Sequence, residues 1–157
     1  DRKIIGISWK SIKSLNQLKK SLTLMEFGKI FQDLDIVLLN LQYGEVGEEI
    51  KAFEKDTGIE IIQCSSVDNR EDLDGLAALI ELCDLVVSTS NVTIHLAGAL
   101  GKNTWVLLPY VANFWWLLER TDSVWYPSLT LYRQKTLKDW DSVALDLKED
   151  LKKKFNK

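Results

Sequence analysis

The chain has 157 residues, 46% of them hydrophobic, and its 20 basic and 23 acidic side chains leave a formal net charge of −3. That length and apolar content suit one compact domain with a proper core and exclude intrinsic disorder. The acidic balance argues against a dedicated nucleic-acid binder, whose affinity comes mainly from a basic surface, and no apolar run approaches the roughly 18 residues that a membrane span needs.

Lys3–Ser8 is a nearly continuous apolar run, the pattern of a strand buried on both faces of a parallel sheet. It begins abruptly after Asp1-Arg2, with no initiator Met and no small-residue cleavage site, as in a piece of something longer that carries no secretory signal. A polar stretch from Trp9 to Ser21 follows. Thr23-Leu24-Met25-Glu26 has the form of a capping box and predicts a short helix through about Gln32. Ile36–Leu41 reads as a second strand and Tyr43-Gly44 as a turn. Val46, Ile50 and Phe53 recur on one face of a helix that stops at Thr57-Gly58, with Gly58 placed for a left-handed cap. Ile59–Ile62 is a short third strand. The polar loop 65–70 leads to a helix marked by Leu73, Leu76, Ala77 and Ile80. Leu85–Ser88 is the fourth strand. Ser90 or Asn91 caps a helix to Leu100 that ends at Gly101, and Thr104–Leu108 is the fifth strand. An aromatic-rich region from Tyr110 to Tyr132 carries a short helix at Phe114–Glu119 and a strand at Leu129–Tyr132. Trp140, Val143, Leu147 and Leu151 line one face of a last helix, whose end, Lys152-Lys153-Lys154, complements the helix dipole. Strand and helix alternate throughout, which predicts an α/β domain: a Rossmann-like parallel sheet with helices on both faces.

In such a sheet ligands bind outside the carboxyl ends of the strands, near the point where strand order reverses. After the fourth strand the sequence reads Ser88-Thr89-Ser90-Asn91-Val92-Thr93-Ile94-His95, small polar residues between a buried strand and a helix. The unpaired N–H groups and the positive dipole end of that first turn make a phosphate cradle without a glycine-rich loop; a simple N-cap is the plainer alternative. Ala97-Gly98-Ala99 would let the helix lie close to the sheet. His95, the single histidine, either donates to a phosphate or sugar oxygen or is half-buried and satisfied by a neighbouring carbonyl. Lys10, at the end of the first strand and followed by Lys13, Lys19 and Lys20, either offsets phosphate charge in the same cleft or is a solvated loop residue. Asp72 and Asp74 flank a helix start, while Glu45, Glu48 and Glu49 read as the solvated face of a helix. Cys64 and Cys83 form neither a disulfide framework nor a metal set; each reads as a reduced, buried thiol, consistent with a reducing, cytoplasmic setting. There is no GxGxxG, no GxxxxGK[ST] and no GxSxG, so the usual dinucleotide enzymes, P-loop NTPases and serine hydrolases are disfavoured.

The stretch from Asp84 to Gln134 contains Asp-Leu-Val-Val-Ser (84–88), His-Leu-Ala-Gly-Ala-Leu-Gly-Lys (95–102), Trp-Val-Leu-Leu-Pro-Tyr (105–110), Trp-Trp-Leu-Leu (115–118), Asp-Ser-Val-Trp-Tyr-Pro-Ser (122–128) and Leu-Tyr-Arg-Gln (131–134). It resembles the C-terminal half of glycosyltransferases often fused to tetratricopeptide repeats. These are similar to the ADP-heptose lipopolysaccharide heptosyltransferases and, more distantly, to the O-linked N-acetylglucosamine transferases. Gly6-Ile7-Ser8-Trp9-Lys10 and Lys20-Ser21-Leu22 resemble that family's opening segment. The resemblance implies a GT-B architecture, with the active site between two Rossmann-like domains. Residues 1–157 would be the C-terminal, nucleotide-sugar-binding domain, and the N-terminal acceptor domain would lie outside this chain. It further implies that Lys10 meets the donor phosphates. Ser90, Asn91, Val92, Thr93 and His95 would wrap the diphosphate, with Gln42 or Tyr43 near the ribose or base. Such transferases work without a bound metal or other cofactor, so Lys10 and His95 are candidate stabilisers of the leaving diphosphate. Family members read Ser-x-Asp-Thr where this chain reads Ser88-Thr89-Ser90-Asn91, so Ser90 stands for Asp and Asn91 for Thr.

The leading expectation is a donor-binding domain of a glycosyltransferase that uses a nucleoside-diphosphate sugar and a glycan or protein acceptor, inactive when isolated. One alternative is a non-catalytic scaffold or interaction module with a decayed donor site. In that case the aromatic region Tyr110–Tyr126 is an interface in its own right rather than core and interdomain packing. A nucleotide-sugar epimerase of the same architecture is a third reading.

Overall fold

The computed structural model describes residues 2–11 and 21–155; the expectations for Asp1, Lys13, Lys19 and Lys20 lie outside the described residues. The elements run β1 (Lys3–Ser8), α1 (Leu24–Gly28) with a 3₁₀ turn (Lys29–Phe31), β2 (Ile36–Asn40), α2 (Gly47–Thr57), β3 (Ile61–Ile62), α3 (Leu73–Leu82), β4 (Leu85–Thr89), α4 (Val92–Ala99), β5 (Thr104–Leu108), a second 3₁₀ turn (Phe114–Trp116), β6 (Leu129–Arg133) and α5 (Trp140–Phe155). Among the described residues the six strands form one sheet of order β3-β2-β1-β4-β5-β6, parallel at every pairing. This is the Rossmann-like α/β fold that the alternation of elements predicts. No helix among the described residues is long and apolar enough to cross a membrane.

The central strands are buried along their whole length in β4 and β5, as a parallel sheet covered on both faces requires. Their side chains divide by the period of two. Ile5, Ile7, Leu85, Val87, Trp105 and Leu107 face a core built with Phe27, Phe53 and Leu147 from α1, α2 and α5. On the opposite face Val86 packs with Leu76, Ile80 and Ala97, and Val106 and Leu108 pack with Ile94, Trp116 and Leu131. Gly6 is required where β1 passes under that second face, because a Cβ there would stand 2.4 Å from Leu41 Cδ1 and 2.7 Å from Cys83 Sγ.

Local chemistry sets several boundaries. Thr23 and Glu26 form the reciprocal capping box of α1, and Gly58 closes α2 at φ 71°. The third strand starts two residues late: Ile59 N donates to Thr57 Oγ1 and Ile61 N to Glu54 Oε1, which ties the entry to β3 to the end of α2. The aromatic helix shrinks to one 3₁₀ turn, since Leu117 adopts φ 53° and breaks it. In α3 the buried face is Leu76, Leu79 and Ile80, whereas Leu73 is exposed on the first turn. Gly98 does admit a close approach, but the neighbour is Tyr126, whose Cγ would lie 2.5 Å from an added Cβ. The chain runs outward from β1 to β3, then returns to β4 and runs outward again, so the crevice between the carboxyl ends of β1 and β4 is the switch point of the sheet.

Candidate functional site

Two amides lace the carboxyl ends of β1, β2 and β4 together. Gln42, just past β2, accepts three hydrogen bonds at Oε1: from Ser8 Oγ at 3.0 Å, Trp9 N at 2.9 Å and Lys10 N at 2.9 Å. Asn91, just past β4, donates through Nδ2 to Ser8 Oγ at 2.7 Å and to the Lys10 carbonyl at 3.3 Å. Its Oδ1 accepts Thr93 N at 3.0 Å and lies 3.3 Å from Ser88 Oγ. Of the two capping candidates Asn91 is therefore the N-cap of α4. Both amides are almost fully buried, and together they fix the backbone of Lys10 at the mouth of the crevice.

The first turn of α4 opens into this crevice with its positive dipole end. Val92 is exposed there, and Thr93 and Thr89 are 0% exposed. The Oγ1 atoms of Thr89 and Thr93 have no hydrogen-bond partner among the described residues, an uncommon condition for buried hydroxyls. Ser90 has a partner: its Oγ accepts the Trp116 indole N–H at 3.0 Å. Trp116 also stacks on His95, with centroids 5.7 Å apart and planes at 21°. His95 Nδ1 lies 3.2 Å from the Tyr126 hydroxyl, so the neighbour of the half-buried imidazole is a phenol rather than a carbonyl.

Burial holds the His95 pKa below its ordinary value of 6.5. The ring is then neutral at pH 7 and offers a hydrogen bond instead of a charge. The folded chain binds this proton less readily than the unfolded one. Stability should therefore fall as pH drops below about 6.5 and level off below the folded pKa of His95. NMR titration of the imidazole checks the pKa, and His95→Gln should remove that part of the acid-side slope. A ring that titrates at 6.5 or above contradicts the assignment.

Lys10 is not a free loop lysine. Its Nζ forms an ion pair with Glu49 on α2 and sits 6.0 Å from the Trp9 ring centroid. Glu49 also accepts the Trp9 indole N–H at 3.0 Å and Leu24 N at 3.1 Å. The expectation that Glu45, Glu48 and Glu49 share a solvated face fails for Glu49, because two donors just past β1 and one from α1 converge on its carboxylate. The signal was present in the sequence: Val46, Glu49, Ile50 and Phe53 form an i, i+3, i+4, i+7 stripe, and Glu49 is the polar member of the buried face. Glu48 lies off that stripe and pairs with Lys51 at the surface.

Beside the crevice, past the carboxyl ends of β2 and β3, lies a groove of about 1000 Å³ lined by Gln42, Tyr43, Gly44, Cys64 and Asn69 among others. Gln42 and Tyr43 thus border a groove next to Lys10 and α4. Cys83 is buried, its thiol pushed up to about 12 by desolvation. Cys64 departs from the expected buried thiol: it is half-buried, 3.2 Å from Ser66 Oγ, and that hydrogen bond lowers its pKa. In the aromatic region Trp116 is core, while Phe114 is 84% exposed and Trp125 63%.

No family model matches the chain. Protein FlbA of Caulobacter vibrioides is 33% identical over 138 residues, which make up 87% of this chain and 23% of that protein. The chain thus spans less than a quarter of that relative. Among solved structures, a family 9 glycosyl transferase from Veillonella parvula superposes with a TM-score of 0.64 over 97% of this chain and 44% of that one, at 13% identity. The H444N variant of the wall teichoic acid polymerase TagF gives a TM-score of 0.45 at 14% identity, over 99% of this chain and 39% of that one. The chain is a Rossmann-like α/β domain whose fold recurs in a family 9 glycosyl transferase.

Proposed function

We propose that this chain is the donor-binding domain of a GT-B glycosyltransferase that takes its sugar from a nucleoside diphosphate. The observation that carries the reading is the convergence at the sheet's switch point. The first turn of α4, capped by Asn91, and Lys10, whose carbonyl accepts from Asn91, come together there beside a groove bordered by Gln42 and Tyr43. In this reading the diphosphate takes the remaining N–H groups of the α4 first turn, the nucleoside takes the groove, and His95 donates as a neutral ring. Helix dipole and Lys10 stabilise the departing diphosphate without a bound metal. The acceptor site, the general base and the tetratricopeptide repeats that the resemblance implies belong to other parts of a cytoplasmic parent protein, so the isolated domain binds nucleotide weakly and transfers nothing.

Titration with UDP, ADP and GDP should shift the backbone amides of Asn91–His95, and Lys10→Ala should weaken binding about tenfold, as loss of a charged hydrogen bond of about 1.5 kcal/mol implies. No shift with any of the three removes the site assignment. Unchanged affinity in the variant removes Lys10 from it.

One set of observations favours a second reading, a scaffold with a decayed donor site. The Ser90 hydroxyl is engaged by Trp116, both ends of the Asn91 amide are engaged within the fold, and Lys10 is paired with Glu49. Sugar transfer by the full-length parent eliminates it. Release of an epimerised free nucleotide sugar, with no acceptor glycosylated, would instead indicate an epimerase.

A further inference from the structure

We infer that Glu49 is a latch on Lys10, which an anionic ligand must open to gain the ammonium. The inference rests on the donor-site reading and concerns a residue that the resemblance does not touch.

The two carboxylate oxygens of Glu49 have different tasks. Oε1 is anchored by two neutral donors from separate elements, the indole of the fully buried Trp9 and the backbone N–H of Leu24 at the start of α1. Oε2 faces Lys10 Nζ. The Lys10 backbone is equally fixed, its N–H on Gln42 and its carbonyl under Asn91. What remains free to move is the lysine side chain, which with Glu49 is about a third exposed (30% and 31%). Glu49 cannot follow the ammonium without giving up both anchors.

An anion at the first turn of α4 therefore competes with a stationary carboxylate for a mobile ammonium. A diphosphate competes better than a monophosphate, and an uncharged nucleoside does not compete. Because the pair is partly solvated, its opening opposes binding only modestly.

Glu49→Gln tests this. The amide oxygen keeps the acceptor for Trp9 and Leu24, so the thermal midpoint should stay near wild type, while the ion pair is lost. By calorimetry, inorganic pyrophosphate should bind E49Q about two- to fivefold more tightly than wild type, the range an exposed pair supplies, with a smaller gain for orthophosphate. In a Lys10→Met background the gain should vanish, which a mere reduction of negative charge near the site would not produce. A gain that persists in that background, or no gain in E49Q, overturns the latch while wild-type binding leaves the donor-site reading standing. Absence of pyrophosphate binding in all variants overturns both. A wild-type measurement stands in if E49Q does not fold: saturation with pyrophosphate should shift the Glu49 carboxyl ¹³C resonance, and an unmoved resonance overturns the latch.

Discussion

Replacing Trp116 by alanine is expected to destabilise the fold by about 3–5 kcal/mol, the range for deleting a buried tryptophan. The side chain is 2% exposed and packs among Ile94, Val106, Leu108, Leu129 and Leu131. Two further roles hang on it. The indole N–H satisfies Ser90 Oγ, and the ring covers one face of His95. Burial is the cause of the low His95 pKa, so uncovering the ring should raise that pKa towards 6.5 in the same variant and reduce the acid-side loss of stability. Trp116→Phe separates packing from hydrogen bonding: it keeps most of the ring and removes the donor, and should cost about 1–2 kcal/mol. Denaturant unfolding reads the first effect and imidazole NMR the second. A loss below about 1 kcal/mol in W116A would place the aromatic segment outside the core and reopen its reading as a separate surface.

Sequence alone reached whatever depended on local pattern. The apolar runs of β4 and β5, the Thr23–Glu26 capping box and the Gly58 cap are written within four to six consecutive residues, and the structure keeps each of them. The switch-point crevice followed from strand order, which alternation of strand and helix constrains strongly. What escaped was tertiary. Gln42 touches residues 32 to 34 positions away and Asn91 reaches back across 83, so neither the capping role read for Asn91 nor the place near the ribose or base implied for Gln42 disclosed that they tie β2, β1 and β4 together. Glu49 was hidden by its neighbours: in a run of Glu45, Glu48 and Glu49 the acidic composition suggested solvent, although the helical stripe placed one of the three on the buried face. The aromatic side chains of this region divide for a reason that composition cannot express. A single 3₁₀ turn, ended by the left-handed Leu117, turns Trp116 inward and leaves Phe114 outside.

Asn91→Ala should cost about 2–4 kcal/mol and loosen the crevice at the same stroke. The N-cap acceptor for Thr93 N disappears, worth about 0.5–2 kcal/mol. Ser8 Oγ and the Lys10 carbonyl also lose their shared donor in a nearly closed environment, worth about 1–3 kcal/mol more. The two contributions separate by substitution. Asn91→Ser keeps a capping oxygen but is too short to bridge to β1, so it should recover about 1 kcal/mol of the loss. Asn91→Asp keeps both acceptor roles and cannot donate, so it should cap α4 while leaving β1 untied. If the tie matters as the geometry requires, both partial variants remain less stable than wild type, and both show faster amide hydrogen exchange at Trp9 and Lys10, whose N–H groups bond Gln42 beside the broken link. A serine variant as stable as wild type, with unchanged exchange at those two amides, would show that Asn91 merely caps a helix. The crevice between β1 and β4 would then be held by strand pairing alone, and Lys10 would lose the backbone anchor on which its approach to an anion at α4 depends.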